Sequence, residues 1–361
     1  MKFVIPGLLL SLLAWSIWRE SQDRAIASGD LPELEVTRGW ALETSCQECH
    51  SQSQSFAETG HALTLRPASD PVLRQLIQSL NTTPAAQRDS MQVSTEGRFP
   101  RVQHREGQHA NDAELDWCFG SGRHARTWVG TLPDSDGATN LLEFRWTWYR
   151  DVDGFQVTPG QPTELDSGYY SHLGVLFDQP KARRCFGCHA THLPVDAGQI
   201  QVAKIQAGVT CQRCHGPREA HVQTGGSIQE HRWSGLSRDE QVARCAECHR
   251  HPEEQTPDSI HIGNPDIVRF QPVGLMQSEC FQRSKMTCTS CHDPHQTMES
   301  QNSGGIWQCI QCHDGKQDDR PVCGSGQLDN CLSCHMPKVS MDRPVRFTDH
   351  WIRIPSEKPL P

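Results

Sequence analysis

A mostly α and irregular fold with a small inserted β meander is predicted by three features of this chain. The first is seven copies of Cys-x-x-Cys-His, running from Cys46 to His50, Cys185 to His189, Cys211 to His215, Cys245 to His249, Cys288 to His292, Cys309 to His313 and Cys331 to His335. The second is composition: 35% of 361 residues are hydrophobic, with 28 Gly and 23 Pro, which is poor material for a large aliphatic core. The third is residues 116–170, which hold none of these motifs and read as strands separated by turns.

On a helical turn, positions i, i+3 and i+4 share one face, so two thiols can grip one edge of a macrocycle while the imidazole reaches its centre. This is the attachment pattern of c-type haem, in which the thiols add to the vinyl groups and the His becomes the proximal iron ligand. A zinc knuckle would need a second ligand pair and gives no reason for a His after every pair; a redox dithiol occurs once per domain. With 17 Cys and 19 His, chance supplies about 0.04 such matches against the seven present. Seven covalently attached haem c groups are therefore expected. Their thioether sulfurs are Cys46, Cys49, Cys185, Cys188, Cys211, Cys214, Cys245, Cys248, Cys288, Cys291, Cys309, Cys312, Cys331 and Cys334, and their proximal iron ligands His50, His189, His215, His249, His292, His313 and His335. Short helices wrapped around a haem array can then replace the missing aliphatic core, and a chain without haem is expected not to fold.

Taken in order, Lys2 precedes the apolar run Phe3 to Trp18, and the polar segment Arg19 to Asp23 follows. Residues 1–27 read as an export signal, cleaved near Ala25-Ile26-Ala27 or kept as an N-terminal membrane anchor; both remain open. The run is short for a relaxed membrane span, and Pro6-Gly7 interrupts it. Either outcome puts the haems outside the cytoplasm, on the periplasmic side, where thiols need the protection that thioether formation gives. Residues 28–115 read as a helical module with one motif, including a helix from Asp70 to Leu80 with Pro71 in its first turn and Val72, Leu73, Leu76, Ile77 and Leu80 at helical spacing. Residues 116–170 give strand candidates at Ala125 to Leu132, Leu141 to Arg150 and Phe155 to Thr158, with turns at Asp134 to Gly137 and Asp151 to Gly154. Residues 171–361 carry six motifs starting 26, 34, 43, 21 and 22 residues apart, too close for one globular domain per motif, so this half reads as a continuous six-haem array.

The formal charge of −9 and the absence of a basic stripe exclude nucleic acid as a partner. An acidic exported redox protein steers toward partner proteins with basic docking patches.

Several segments carry a family resemblance. Gly208 to His221, with a Gly-Pro and a His after its motif, resembles the tetrahaem cytochromes that serve hydroxylamine oxidoreductase. Thr287 to His295 and Cys46 to His61 resemble segments of the wider group of exported multihaem cytochromes c. Cys331 to Val339 followed by Phe347-Thr-Asp-His350 is similar to a stretch of pentahaem cytochrome c nitrite reductase. These segments cover under a third of the chain.

Twelve His lie outside the motifs, enough to give every iron a second imidazole. Two imidazoles close an iron for electron transfer, whereas an iron lacking its sixth protein ligand binds substrate. The resemblance points to His61, His221 and His295 as distal ligands. His124 and His172 flank the β segment and could close gaps between modules; His261 stands open between ligand and surface residue. His192 and His251 are weaker candidates, and His104, His109 and His231 lie in polar stretches and read as solvated. His350 is either a distal ligand or, as the nitrite reductase resemblance implies, a catalytic proton donor above an open haem. That family also carries one Cys-x-x-Cys-Lys motif, absent here, and the tyrosine crosslink of hydroxylamine oxidoreductase has no signature around Tyr149, Tyr169 or Tyr170.

Cys118, Cys280 and Cys323 lie outside the motifs and allow one disulfide, with Cys280 to Cys323 preferred, or three small buried residues. The expectation is an exported heptahaem cytochrome moving electrons between redox partners. The alternative is an oxidoreductase acting on a small nitrogen or sulfur compound at one five-coordinate haem. A cytochrome subunit docked in a membrane respiratory complex is compatible with the first.

Overall fold

The computed structural model describes residues 39–106, 109–133, 139–162, 164–165, 168–229, 232–301, 306–313 and 330–355. The segment expected to direct export lies outside the described residues, and no helix within them is long and apolar enough to cross a membrane.

Helix and strand are mixed, and strand is more extensive than a small insert. An antiparallel sheet is built from β1 (Leu65–Pro67), β5 (Trp117–Phe119), β6 (Ala125–Pro133), β7 (Thr139–Tyr149), β8 (Gly154–Val157) and β9 (Gly174–Phe177), in the order β1-β5-β6-β7-β8, with β9 also on β7. One edge of β7 serves two partners: Trp146 to Tyr149 pair with β8, and Leu141 to Phe144 with β9. A second antiparallel sheet, β2 (Met91–Ser94), β3 (Arg101–Glu106) and β4 (His109–Glu114), lies within the stretch read as helical. Its strands are too polar to announce themselves. Met91-Gln-Val-Ser buries alternate residues, but Arg101 to Glu106 offers one aliphatic side chain, Val102, to the core.

The helix at Pro71–Gln78 forms where its spacing predicts, capped by the Asp70 carboxylate, which accepts from the Val72 and Leu73 amides. Leu73, Ile77 and Leu80 enter the core, while Val72 is 60% exposed. That core joins this helix to β2–β4 and to one face of β7, through Leu142, Phe144 and Trp146. The other face, through Leu141, packs on Phe177, Ala182 and Phe186. With both faces covered, β7 is buried almost continuously instead of alternating. Phe186 belongs to the helix Gln179–His189, which ends in the second motif, so the sheet holds that motif directly. Toward the C-terminus the described apolar cluster is small, Val242, Leu275 and Phe281 with a few partly buried neighbours, and Ala246, Ile267, Val268, Val273 and Val345 are buried outside it.

Candidate functional site

Each motif occupies a short helical turn. The amides of His50, His292 and His313 donate to the carbonyls of Cys46, Cys288 and Cys309 at 3.0, 3.0 and 2.9 Å, setting the i and i+4 positions on one face. The second and fourth motifs end longer helices, Gln179–His189 and Arg238–His249, started respectively by the Asp178 cap and by a Ser237/Glu240 capping box.

All seven motifs open onto one continuous cavity of about 3380 Å³. A site for one small ligand runs to about 300–1,000 Å³, so this space suits several large groups. Its wall includes every proximal His, every motif cysteine except Cys185, and His61, His124, His221, His295 and His350. Eleven Arg and Lys against five acidic residues line it, although the whole chain is acidic. Apolar space with a basic wall matches macrocycles that carry carboxylates.

Motif sulfurs from distant parts of the chain meet across this cavity. Cys46 and Cys211 converge with Glu43 within 4.8 Å, and the sulfurs of Cys188 and Cys248, and of Cys245 and Cys288, lie close enough to perturb each other's basicity. The first motif therefore adjoins the third, and the fourth adjoins both the second and the fifth.

Four imidazole pairs face one another across it. Ring centres are 6.2 Å apart for His50 and His221, 6.1 Å for His249 and His61, 6.1 Å for His215 and His295, and 6.2 Å for His292 and His350. The separation is too wide for stacking, as His104 and His172 show by stacking at 3.9 Å with planes 5° apart. Two imidazole–metal bonds of about 2 Å, plus roughly 1 Å from each bonding nitrogen to its ring centre, require about 6 Å. The spacing fits one iron held between two imidazoles, and each pair joins a proximal His to a His from the segment following a different motif.

Burial lowers the basicity of His61 and His350 to about 4, with neighbouring imidazoles adding to the effect. His189, His215, His249 and His292 shift the same way, again mainly through burial. Such rings are neutral and ready to bind metal. Their Nδ1 atoms are anchored: His189 on the Thr64 hydroxyl at 2.7 Å, His249 on the Gln271 amide oxygen at 2.7 Å, and His335 on the Arg353 carbonyl at 2.7 Å. His221, His350 and His295 do likewise on Ile228 O, Thr348 O and the Asp293 carboxylate, at 2.8, 2.9 and 3.0 Å. An imidazole that donates through Nδ1 presents Nε2 to a metal. Thr64 immediately precedes β1 and Phe119 ends β5, and the Phe119 ring meets His189 at 5.1 Å, so the sheet edge fixes that imidazole.

Residues 168–216 match the family of cytochrome c554 and c-prime. The chain is 20% identical to the dissimilatory sulfite reductase MccA of Wolinella succinogenes, over 81% of this chain and 50% of that protein. It is 27% identical to the multiheme cytochrome MtrA of Shewanella baltica, over 53% of this chain and 61% of that protein. These likenesses support a multihaem cytochrome c family for the chain. The chain spans only half to about three-fifths of the length of those curated relatives. Among solved structures it is similar to the undecaheme cytochrome from the S-layer of Carboxydothermus ferrireducens, with a TM-score of 0.40 and 15% identity over 77% of this chain and 43% of that one.

Other expected site residues fall differently. His172 stacks on His104 and His261 is exposed; neither lines the cavity. His104 is buried, not solvated, because β3 turns it into the interior. His124 lines the cavity against Phe347, at 4.8 Å. His192 stacks on Trp40 at 4.9 Å. Among the described residues, no second imidazole faces His189 or His335. Cys118 is fully buried, and burial pushes its thiol up to about 12. Cys280 lines the cavity; Cys323 and His231 lie outside the described residues.

Residues that sequence reasoning missed hold the backbone beside His61 and His350. An added Cβ on Gly208, at φ +78°, would collide with the Ala62 carbonyl beside His61. One on Gly274 would lie 2.8 Å from the Trp351 amide beside His350. Ser278 adds a hydroxyl that donates to the His350 carbonyl at 3.2 Å and accepts from the Ile352 amide at 2.8 Å. The positive φ at Gly208 has a sequence signal only in the glycine itself.

Proposed function

We propose that this chain is an exported heptahaem c-type cytochrome that passes electrons between redox partner proteins through closely spaced, mainly bis-His irons. The four imidazole pairs at 6.1–6.2 Å along one cavity carry this reading. Bound haem c supplies one-electron iron redox chemistry. The fourteen motif cysteines tether the array, and His50, His189, His215, His249, His292, His313 and His335 take the proximal positions. His221, His61, His295 and His350, which face His50, His249, His215 and His292, would hold those irons from the other side, which would suit electron transfer and keep substrate off the metal. His350 is thereby a ligand and not a proton donor. Sulfurs of different motifs lie close together across the cavity, which would suit electron transfer between neighbouring sites. Acidic net charge favours partners with basic docking patches, and attachment through thioethers suits the periplasmic side.

Pyridine haemochrome quantification tests the count: seven haems per chain are expected, and fewer overturn it. The pairing predicts that most ferric iron is low-spin by electron paramagnetic resonance.

A second reading, reduction of a small nitrogen or sulfur compound at an open iron, is favoured by His189 and His335, which lack a facing imidazole among the described residues. It predicts a carbon monoxide shift in one or two of the haems of the reduced protein; wholly inert haems remove it.

A further inference from the structure

Six imidazoles assigned to iron have a defined Nδ1 partner, and five of those partners are neutral: a hydroxyl, an amide oxygen and three backbone carbonyls. His295 differs. Its Nδ1 donates to Asp293 Oδ1 at 3.0 Å, and its own backbone amide donates to the same oxygen at 2.9 Å. The carboxylate is fixed in turn by Gln296, whose amide donates to Oδ2 at 2.9 Å, and the Asp293 backbone is held by Gln301 at 3.2 and 3.0 Å. Asp293 also directly follows His292, so the four residues His292-Asp-Pro-His295 reach from the iron of one motif to that of another.

A carboxylate accepting from Nδ1–H draws the proton toward itself, gives the ring partial imidazolate character and raises its strength as a donor to iron. A stronger, more negative donor stabilises the ferric over the ferrous state, so outer-shell hydrogen bonding is one of the levers that set the potential of a ligated iron. We propose that Asp293 is a positioning residue that selectively lowers the potential of the iron held between His215 and His295, as the one carboxylate among the six defined Nδ1 partners. The inference rests on the axial pairing of these two imidazoles.

The test is a redox titration of the holoprotein followed by electron paramagnetic resonance. Asp293→Asn keeps an oxygen acceptor and removes the charge. One component of the titration is expected to move to higher potential while the others stay in place, with haem content and low-spin character retained, and Asp293→Glu is expected to restore most of the shift. A titration that superimposes on the wild type, or one in which all components move together, overturns the proposal. Gln271→Glu supplies the converse and serves if the first variant does not accumulate: a carboxylate at the neutral His249 anchor should lower one component, and no movement counts against the proposal. His295→Ala separates the two levels of inference. It should turn one ferric haem high-spin if the pairing holds; if every haem stays low-spin the pairing itself fails, whereas an intact pairing with an inert Asp293→Asn defeats only the role of Asp293.

Discussion

His292 and His350 face each other with ring centres 6.2 Å apart and planes inclined by 38°, although 58 positions separate them in sequence. Burial holds His350 neutral and its Nδ1 is occupied by the Thr348 carbonyl, so the ring offers Nε2 toward His292. A neutral, anchored imidazole opposite a proximal ligand is suited to coordinate. His350→Ala should convert one low-spin ferric haem to high-spin and add one carbon monoxide-binding haem on reduction. A variant whose spectra match the wild type would return His350 to the role of proton donor.

The same imidazole depends on backbone packing behind it. Gly274 lies in the helix Gln271–Gln277, and a side chain there would press on the His350–Trp351 backbone. Gly274→Ala should therefore reproduce part of the His350→Ala spectrum, with a mixture of high- and low-spin iron at one haem. Ser278→Ala, which removes the hydroxyl bridging His350 and Ile352, should act in the same direction more weakly, since one part-buried hydrogen bond contributes about 1 kcal/mol.

Ring orientation divides the four pairs. His61 and His249 are inclined by 77°, whereas the other pairs lie between 14° and 38°. Near-parallel rings donate into the same iron d orbital and split the pair strongly, while near-perpendicular rings donate into both and leave them close in energy. Electron paramagnetic resonance of the oxidised protein should resolve at least two low-spin classes, one strongly anisotropic. His61→Ala should remove that class alone; its persistence would exclude the pairing.

Cofactor chemistry was legible in the sequence because covalent attachment fixes three residues within five consecutive positions, and each of the seven motif segments forms a turn on the cavity wall. The imidazoles that face the motif histidines stood out in the sequence only where a familiar segment surrounded them, since a long-range pairing leaves no periodic trace: nothing local in Thr59-Gly-His61 names His249 as its neighbour. His172 and His124 looked equivalent beside the β segment, yet β3 captures one by stacking and the cavity takes the other. The strands β2–β4 escaped notice because their exposed faces are as polar as loops and their buried faces are short. Paired coverage of β7 was hidden for the opposite reason, a nearly unbroken apolar run that does not alternate.

Phe186 couples the sheet to the second motif. It is fully buried and meets Trp117 and Phe119 edge-on at 6.0 and 4.8 Å, and Phe119 in turn meets His189. Phe186→Ala should cost about 3–5 kcal/mol, the usual range for removing a buried aromatic ring, and should shift the potential or spin state of the haem at His189 while leaving the other haems unchanged. Denaturant unfolding and redox titration of the holoprotein measure the two effects separately. A stability loss with no haem response would show that the sheet supports the fold without tuning that iron.

The two halves of the chain differ in what holds them together. Around the sheets, seventeen buried side chains form one cluster, whereas among the described residues beyond 232 only Val242, Leu275 and Phe281 cluster, with Ala246, Ile267, Val268, Val273 and Val345 buried apart from them. Conformational entropy of about 1–2 kcal/mol per ordered residue is poorly offset by so small a cluster, which predicts that the cofactors supply much of the apolar surface there. Chain made without haem attachment should lack a cooperative unfolding transition, and limited proteolysis should cut within residues 232–355 well before it cuts between β5 and β9. Replacing Cys245 and Cys248 with Ala should produce the same order of cutting in milder form, because the fourth motif adjoins both the second and the fifth. A compact haem-free chain that unfolds cooperatively and resists protease throughout would refute this division, since side-chain packing would then suffice without the haems.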